Sequence, residues 1–228
     1  AASGAVAELM EVLRQRGGDV VSAQMLNENG LARRSAFVFP SLAREMNPFG
    51  WLWRRRHQFL RLEPPTQRKP CRAAAVRAQF LLGRRETFRR VGDFAEGYRF
   101  AVEELEWCAR ARRAGVARWV APGAGAHNLA PQRHGEVPPE HLLAIEASLV
   151  RLAGAMRGPA YAAVFRAVRR GKTLIKWGVS AAWNRAVPAH SNLMTAAEPV
   201  HRALWRGAGP TEALPPDAES HSRWEAII

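Results

Sequence analysis

Three carboxylates, Glu103, Glu104 and Glu106, fall within four positions of a chain whose formal net charge is +14. The run behind them is rich in Ala and Arg, both strong helix formers, and Gly115 is a natural stop. Residues 98–115 therefore predict a short helix with acids in its first turn. There the free backbone N–H groups and the helix dipole favour negative charge. A carboxylate so placed tends to stay ionised, as a general base or an anionic clamp requires. Acids are also common in first turns because they stabilise helices, so the pattern constrains the fold before it constrains the chemistry.

The segments around this helix are short and sharply punctuated. Ser3 is placed to cap a helix with Val6, Leu9, Met10 and Leu13 on one face, ended by Gly17-Gly18. Residues 19–25 predict a buried strand, Asn27 to Gly30 a turn, and residues 33–39 a second strand closed by Pro40. A helix followed this closely by a strand points to an α/β layer. Residues 73–83 are the expected central strand, residues 85–91 a short helix ended by Gly92, and residues 116–121 a strand broken by Pro122-Gly123. Residues 49–57 mix Trp51 and Trp53 with Arg54, Arg55 and Arg56 and run towards Pro64, Pro65 and Pro70. This is expected to be a loop, either touching an anionic or lipid-linked substrate or folding its Trp side chains back on the core.

A hydrophobic content of 47% over 228 residues supports one domain with an appendage. The positive excess is nearly all Arg, with Lys only at Lys69, Lys172 and Lys176. That suits an anionic partner such as nucleic acid, a phosphorylated substrate or an acidic membrane, and an Arg- and Ala-rich composition also accompanies a GC-rich genome. Cys71 and Cys108 provide neither metal-ligand spacing nor a disulfide framework, which makes a reducing compartment the default.

Four motifs in order resemble the C-terminal part of the catalytic domain of family 2 glycosyltransferases, the rhamnosyltransferase-like group. Leu81-Leu82-Gly83-Arg84-Arg85-Glu86-Thr87-Phe88 is similar to the family's apolar strand leading to Arg-Arg-Glu-x-Phe. Val91-Gly92-Asp93-Phe94-Ala95-Glu96 is similar to Val-Gly-Gly-Phe-Asp-Glu. Glu103-Glu104-Leu105-Glu106-Trp107-Cys108-Ala109-Arg110 is similar to the Glu-Asp-x-Asp-Leu-Cys-x-Arg box. Val120-Ala121-Pro122-Gly123-Ala124 with His127 is similar to a strand-Pro-x-Ala element and its following His. Residues 5–40 fit more weakly, and the likeness covers roughly the first 130 to 170 residues.

The resemblance implies a partial GT-A fold and inverting transfer of a sugar from a nucleotide-sugar donor to a hydroxyl of a saccharide or lipid-linked acceptor. The product would belong to cell-envelope polysaccharide or glycolipid. It places Glu104 as the base and Glu103 as the acid that contacts the acceptor or orients that base. Glu106, Trp107 and Arg110 are placed as substrate-binding residues on the same helix, with Arg110 four residues from Glu106 and able to pair with it. His127 is placed as a ligand of a divalent cation, Mg2+ or Mn2+, that neutralises the departing diphosphate. The family's aspartates are Glu104 and Glu106 here, its Leu is Trp107, and Ala95 replaces an acid. A misplacement of about 1 Å at a base costs on the order of a hundredfold in rate, so these changes bear on activity. The family's Asp-x-Asp clamp has no counterpart among Asp19, Asp93 and Asp217, and the nucleotide-binding half is expected to be missing. The polypeptide alone is then expected to bind donor poorly and turn over little.

Residues 1–135 are thus expected to form the C-terminal part of a catalytic domain, residues 136–190 a helical extension, and residues 191–228 a loosely ordered tail. In the extension, residues 139–156 and 161–183 predict two helices, the second basic and amphipathic, suited to an anionic membrane surface or to packing with a solvated basic edge. The expected location is cytoplasmic, with peripheral attachment to the inner face of the plasma membrane. Two alternatives compete: a basic nucleic-acid-binding module, against which the Arg residues are dispersed and no recognised motif occurs, and a catalytically silent relative.

Overall fold

A computed structural model describes residues 4–27, 29–33, 35–46, 69–98, 102–127 and 139–186. The loop expected at residues 49–57, the Ser3 cap and the tail at 191–228 lie outside the described residues. The described chain is mixed α/β, with six strands and six helices. The strands are β1 (Val20–Leu26), β2 (Ala36–Phe37), β3 (Cys71–Arg72), β4 (Ala75–Val76), β5 (Leu81–Gly83) and β6 (Arg118–His127). The helices are α1 (Ala5–Arg16), α2 (Leu42–Met46), α3 (Arg85–Val91), α4 (Val102–Arg113), α5 (Pro139–Arg157) and α6 (Pro159–Ala186).

The main sheet has the order β3-β6-β1-β5. β1 and β6 run parallel, while β5 on β1 and β3 on β6 are antiparallel. β2 and β4 form a separate antiparallel pair. β1 is buried from Val20 to Met25, and its alternation sends side chains to two cores. Val21, Ala23 and Met25 meet Leu9 and Val12 of α1 together with Ala121 and Ala126 of β6. Val20 and Val120 face the opposite way, into a larger cluster with Val102, Leu105, Trp107 and Cys108 of α4 and Leu152 of α5. The sheet is therefore covered on both faces, and the two polar residues of β1, Ser22 and Gln24, are buried with hydrogen bonds to the Arg77 carbonyl and to Ser35.

Three local expectations are corrected. Residues 73–83 are not one central strand. The chain pairs as β4 with β2, breaks, and resumes as the edge strand β5. At the break, side chains take the backbone groups that a ladder would use. Ser22 Oγ donates to the Arg77 carbonyl at 2.8 Å, and the Ala78 N–H donates to Glu104 Oε1 at 3.0 Å. The strand expected at 33–39 shrinks to Ala36–Phe37. The strand expected to stop at Pro122-Gly123 continues to His127, because its pairing steps from Ala23↔Ala121 to Gln24↔Gly125 and leaves residues 122–124 as a bulge. Proline cannot donate to a ladder, and a bulge removes it without ending the strand.

The helix limits fall close to those expected. α3 ends at Gly92 and α4 before Gly115, both at positive φ (82° and 73°). Gly158, at φ 93°, separates α5 from α6. α6 is fastened to α2 and α5 by an ion cluster. Glu45 accepts from Arg169 at 2.8 Å and from Lys172, and Arg169 also forks onto both oxygens of Glu146. Burial opposes the charge on Glu45, but Lys172 and Arg169 outweigh it and hold the carboxyl below its ordinary range. Glu45→Ala is expected to cost about 1–3 kcal/mol in urea melts, less than a fully buried pair because the cations are partly solvated. Replacing Glu45 and Lys172 together by Leu and Met is expected to cost less than Glu45→Ala alone.

Candidate functional site

The two motif regions 91–96 and 103–110 pack on each other as one unit. Trp107 is 1% exposed; its Nε1–H donates to the Gly92 carbonyl at 2.8 Å, and its ring lies 5.4 Å from Phe88 and 5.5 Å from Phe94. Arg110 grips both oxygens of Glu106, at 2.8 and 2.9 Å. Its remaining N–H groups donate to the carbonyls of Val91 and Asp93, the latter at 2.6 Å. Glu106, Trp107 and Arg110 thus brace the α3–α4 turn. Trp107 presents no surface to a ligand, and the guanidinium of Arg110 is spent on internal acceptors. Glu106 sits a turn inside the helix and not in its first turn, which holds Glu103 and Glu104.

Glu104 differs from its neighbours. It is 6% exposed, and only Oε1 is partnered, by the Ala78 N–H. Glu104 Oε2 is buried without a hydrogen-bond partner among the described residues, and so is one oxygen of Glu103. An orphaned buried acceptor costs about 1–3 kcal/mol, and a pair of them at one helix start is unusual enough to require a reason. The expectation that the helix N-terminus keeps this carboxyl ionised is reversed. Burial pushes the Glu104 carboxyl up to about 7, against the pull of Arg77 and the Ala78 N–H, and the charge of Glu103 adds to the rise. Loss of hydration outweighs the dipole here because the side chain leaves water altogether. Sequence alone located this acid but carried no signal of its burial. That burial comes from β4 and the Arg77–Ala78 turn, 26 residues upstream.

His127 is exposed at the end of β6, with Nδ1 3.1 Å from the Asn27 carbonyl. A bond there from Nδ1–H leaves Nε2 as the face that can hold a metal. Among the described residues no group of three or more His, Cys, Asp or Glu gathers around His127 or elsewhere. The cysteines are free, and burial pushes the Cys108 thiol up to about 11, out of the range of thiolate chemistry. Compared with protein-family models and with curated proteins, the chain matches none.

The raised Glu104 sets a pH dependence. A Glu in the unfolded chain loses its proton near 4.5, whereas the folded protein keeps it to about 7. The folded state binds more protons across that window, so stability falls as pH rises through it and levels off above, by on the order of 3 kcal/mol. Glu104→Gln is expected to remove this slope. Denaturant melts should show the variant gaining on the parent between about pH 5 and pH 8, and an unchanged difference would contradict the assignment.

Proposed function

We propose that this chain carries the acceptor-activating part of an inverting family 2 glycosyltransferase, with Glu104 as the base. The reading rests on one observation. A carboxyl at the start of α4 has one oxygen tied to a backbone N–H and the other buried without a partner, and that burial pushes it up to about 7. A base is most effective when its pKa lies close to the working pH, and a fixed oxygen aims the other one. The order of the four motifs supplies the reaction class, and a mixed sheet with helices on both faces is compatible with a GT-A architecture.

In this reading the acceptor hydroxyl donates its hydrogen bond to the unpartnered Oε2, which is buried and has to be uncovered for the acceptor to reach it. As its oxygen forms a bond to the anomeric carbon of the nucleotide sugar, the proton passes to Glu104 and the bond from that carbon to the diphosphate breaks. Glu103, one position earlier with its own unpartnered oxygen, is suited to a second acceptor hydroxyl. Glu106, Trp107 and Arg110 act one step removed, by fixing the helix that presents the base. A divalent cation, when bound, would supply positive charge to the departing diphosphate, and His127 is the residue this chain offers towards it.

The deep burial of Glu104 favours a second reading, a catalytically silent relative in which the acid only ties α4 to the Arg77–Ala78 turn. The nucleic-acid alternative gains nothing comparable, because Arg110, Arg113, Arg118 and Arg169 spend their donors inside the fold. The two surviving readings separate on turnover. In the full-length gene product, nucleoside diphosphate release from a panel of nucleotide sugars is expected to rise with pH through about 7, and Glu104→Gln is expected to lower kcat at least about a hundredfold. No release by the parent protein with any donor would favour the silent reading, and unchanged turnover in Glu104→Gln would rule out Glu104 as the base.

A further inference from the structure

α6 has two faces with different chemistry. The inner face is committed: Phe165 is fully buried, Tyr161 stacks on it and accepts from the Leu42 N–H at 2.8 Å, and Arg169 and Lys172 reach Glu45. The outer face carries Ala160, Ala163, Val164, Ala167, Leu174 and Ile175, all exposed. Val164, Leu174 and Ile175 are 50%, 37% and 69% exposed. Their spacing of three, four and seven residues keeps them on one stripe of the helix. From Ala160 to the exposed Gly178 the stripe runs about 27 Å at 1.5 Å per residue. The outward stripe is therefore apolar, and the solvated basic residues lie along its margin.

The charge beside that stripe is of one sign. α6 contains no Asp or Glu along its whole length. Arg166 and Arg170, two and six residues after Val164, are exposed along one margin of the stripe, and no carboxylate among the described residues pairs with either. A second copy of the chain laid on the stripe would bring two such arginine rows together without an acid on either helix to neutralise them. A layer of anionic headgroups above an apolar interior answers both features, because it accepts the arginines at its surface and the aliphatic side chains just beneath. No helix among the described residues is long and apolar enough to cross a membrane, which agrees with a helix lying flat.

We infer that the outer face of α6 is a docking surface for an anionic lipid bilayer, with Val164, Leu174 and Ile175 entering the interface and Arg166 and Arg170 at the level of the headgroups. The inference does not depend on the role of Glu104. Three large aliphatic side chains are a modest apolar anchor, so the attachment depends on charge and weakens with salt.

Co-sedimentation of the full chain tests it, with vesicles of phosphatidylglycerol and phosphatidylcholine in equal parts against vesicles of phosphatidylcholine alone. Binding to the mixed vesicles at least about tenfold tighter than to the neutral ones is expected, declining as salt rises. Ile175→Glu is expected to weaken it about tenfold or more, Ile175→Phe to preserve it, and Arg166→Gln with Arg170→Gln to lose about fivefold for each charge. Equal binding to both vesicle types, or parent-like binding by Ile175→Glu, would overturn the inference. So would a parent dimer that Ile175→Glu dissociates, which would assign the face to a second copy. A loss of stability in Ile175→Glu would overturn it too, by showing that the chain itself covers the stripe.

Discussion

The parallel pairing of β1 with β6 is the constraint on which the rest of the fold depends. It joins residues nearly a hundred positions apart over seven pairs, from Val20↔Arg118 to Leu26↔His127. Both strands are buried on both faces, so each needs a helix above and below, and α1 and α4 are the helices available. Asp19 secures the start of the pairing, with Oδ2 accepting from the Ala117 N–H at 2.9 Å and its own carbonyl accepting from Arg84. Gly83, on the edge strand, leaves no room for a larger residue, since a Cβ there would lie 2.8 Å from the Phe88 ring and 3.0 Å from Val20. The register also decides where the candidate site lies. It sets α4 against β4 and so brings the Ala78 N–H to Glu104.

Two forces act on Glu104 in opposite directions, and their sizes explain the outcome. A helix N-terminus is worth about 0.3–1 kcal/mol to a carboxylate near the surface. Removing the carboxylate from water costs several times that unless hydrogen bonds replace the lost solvation, and only one bond does so here. Glu106, on the same helix, receives two charge-assisted bonds from Arg110 and meets its requirement in full. The contrast between two acids two residues apart separates an acid used for bracing from one left with unfilled capacity.

Much of the local structure was legible because it depends on short-range rules. Gly92 and Gly115 end helices where backbone freedom is needed, and α5 and α6 begin and end within a few residues of the apolar pattern. What was not legible depends on partners distant in the chain. Nothing within residues 73–83 announces that Ser22 and Glu104 will claim the Arg77 and Ala78 backbone groups and split the strand. Pro122 looked like a strand end because a bulge requires a continuous neighbour, and β1 is that neighbour. The same limit applied to the site. Its acids were found from their clustering, whereas the assignment of Trp107 and Arg110 to the α3–α4 turn required the packing of two motifs that sequence presents only as successive.

The surplus of arginine shows how far composition is from surface charge. Arg118, 5% exposed, donates to the Ala74 and Val116 carbonyls, and Arg113 donates to the Ala155 carbonyl at the end of α5. Arg77 and Arg151 lie over the rings of Phe37 and Tyr98. A guanidinium has five N–H donors and a flat face, so it can satisfy several carbonyls and cover an aromatic ring at once. In a fold with several short strands and broken ladders, such a side chain supplies the donors that sheet pairing leaves wanting. A net charge of +14 therefore overstates the number of guanidinium groups free to contact a partner directly, and the cations placed to do so are those, such as Arg166 and Arg170, that no internal acceptor has taken up.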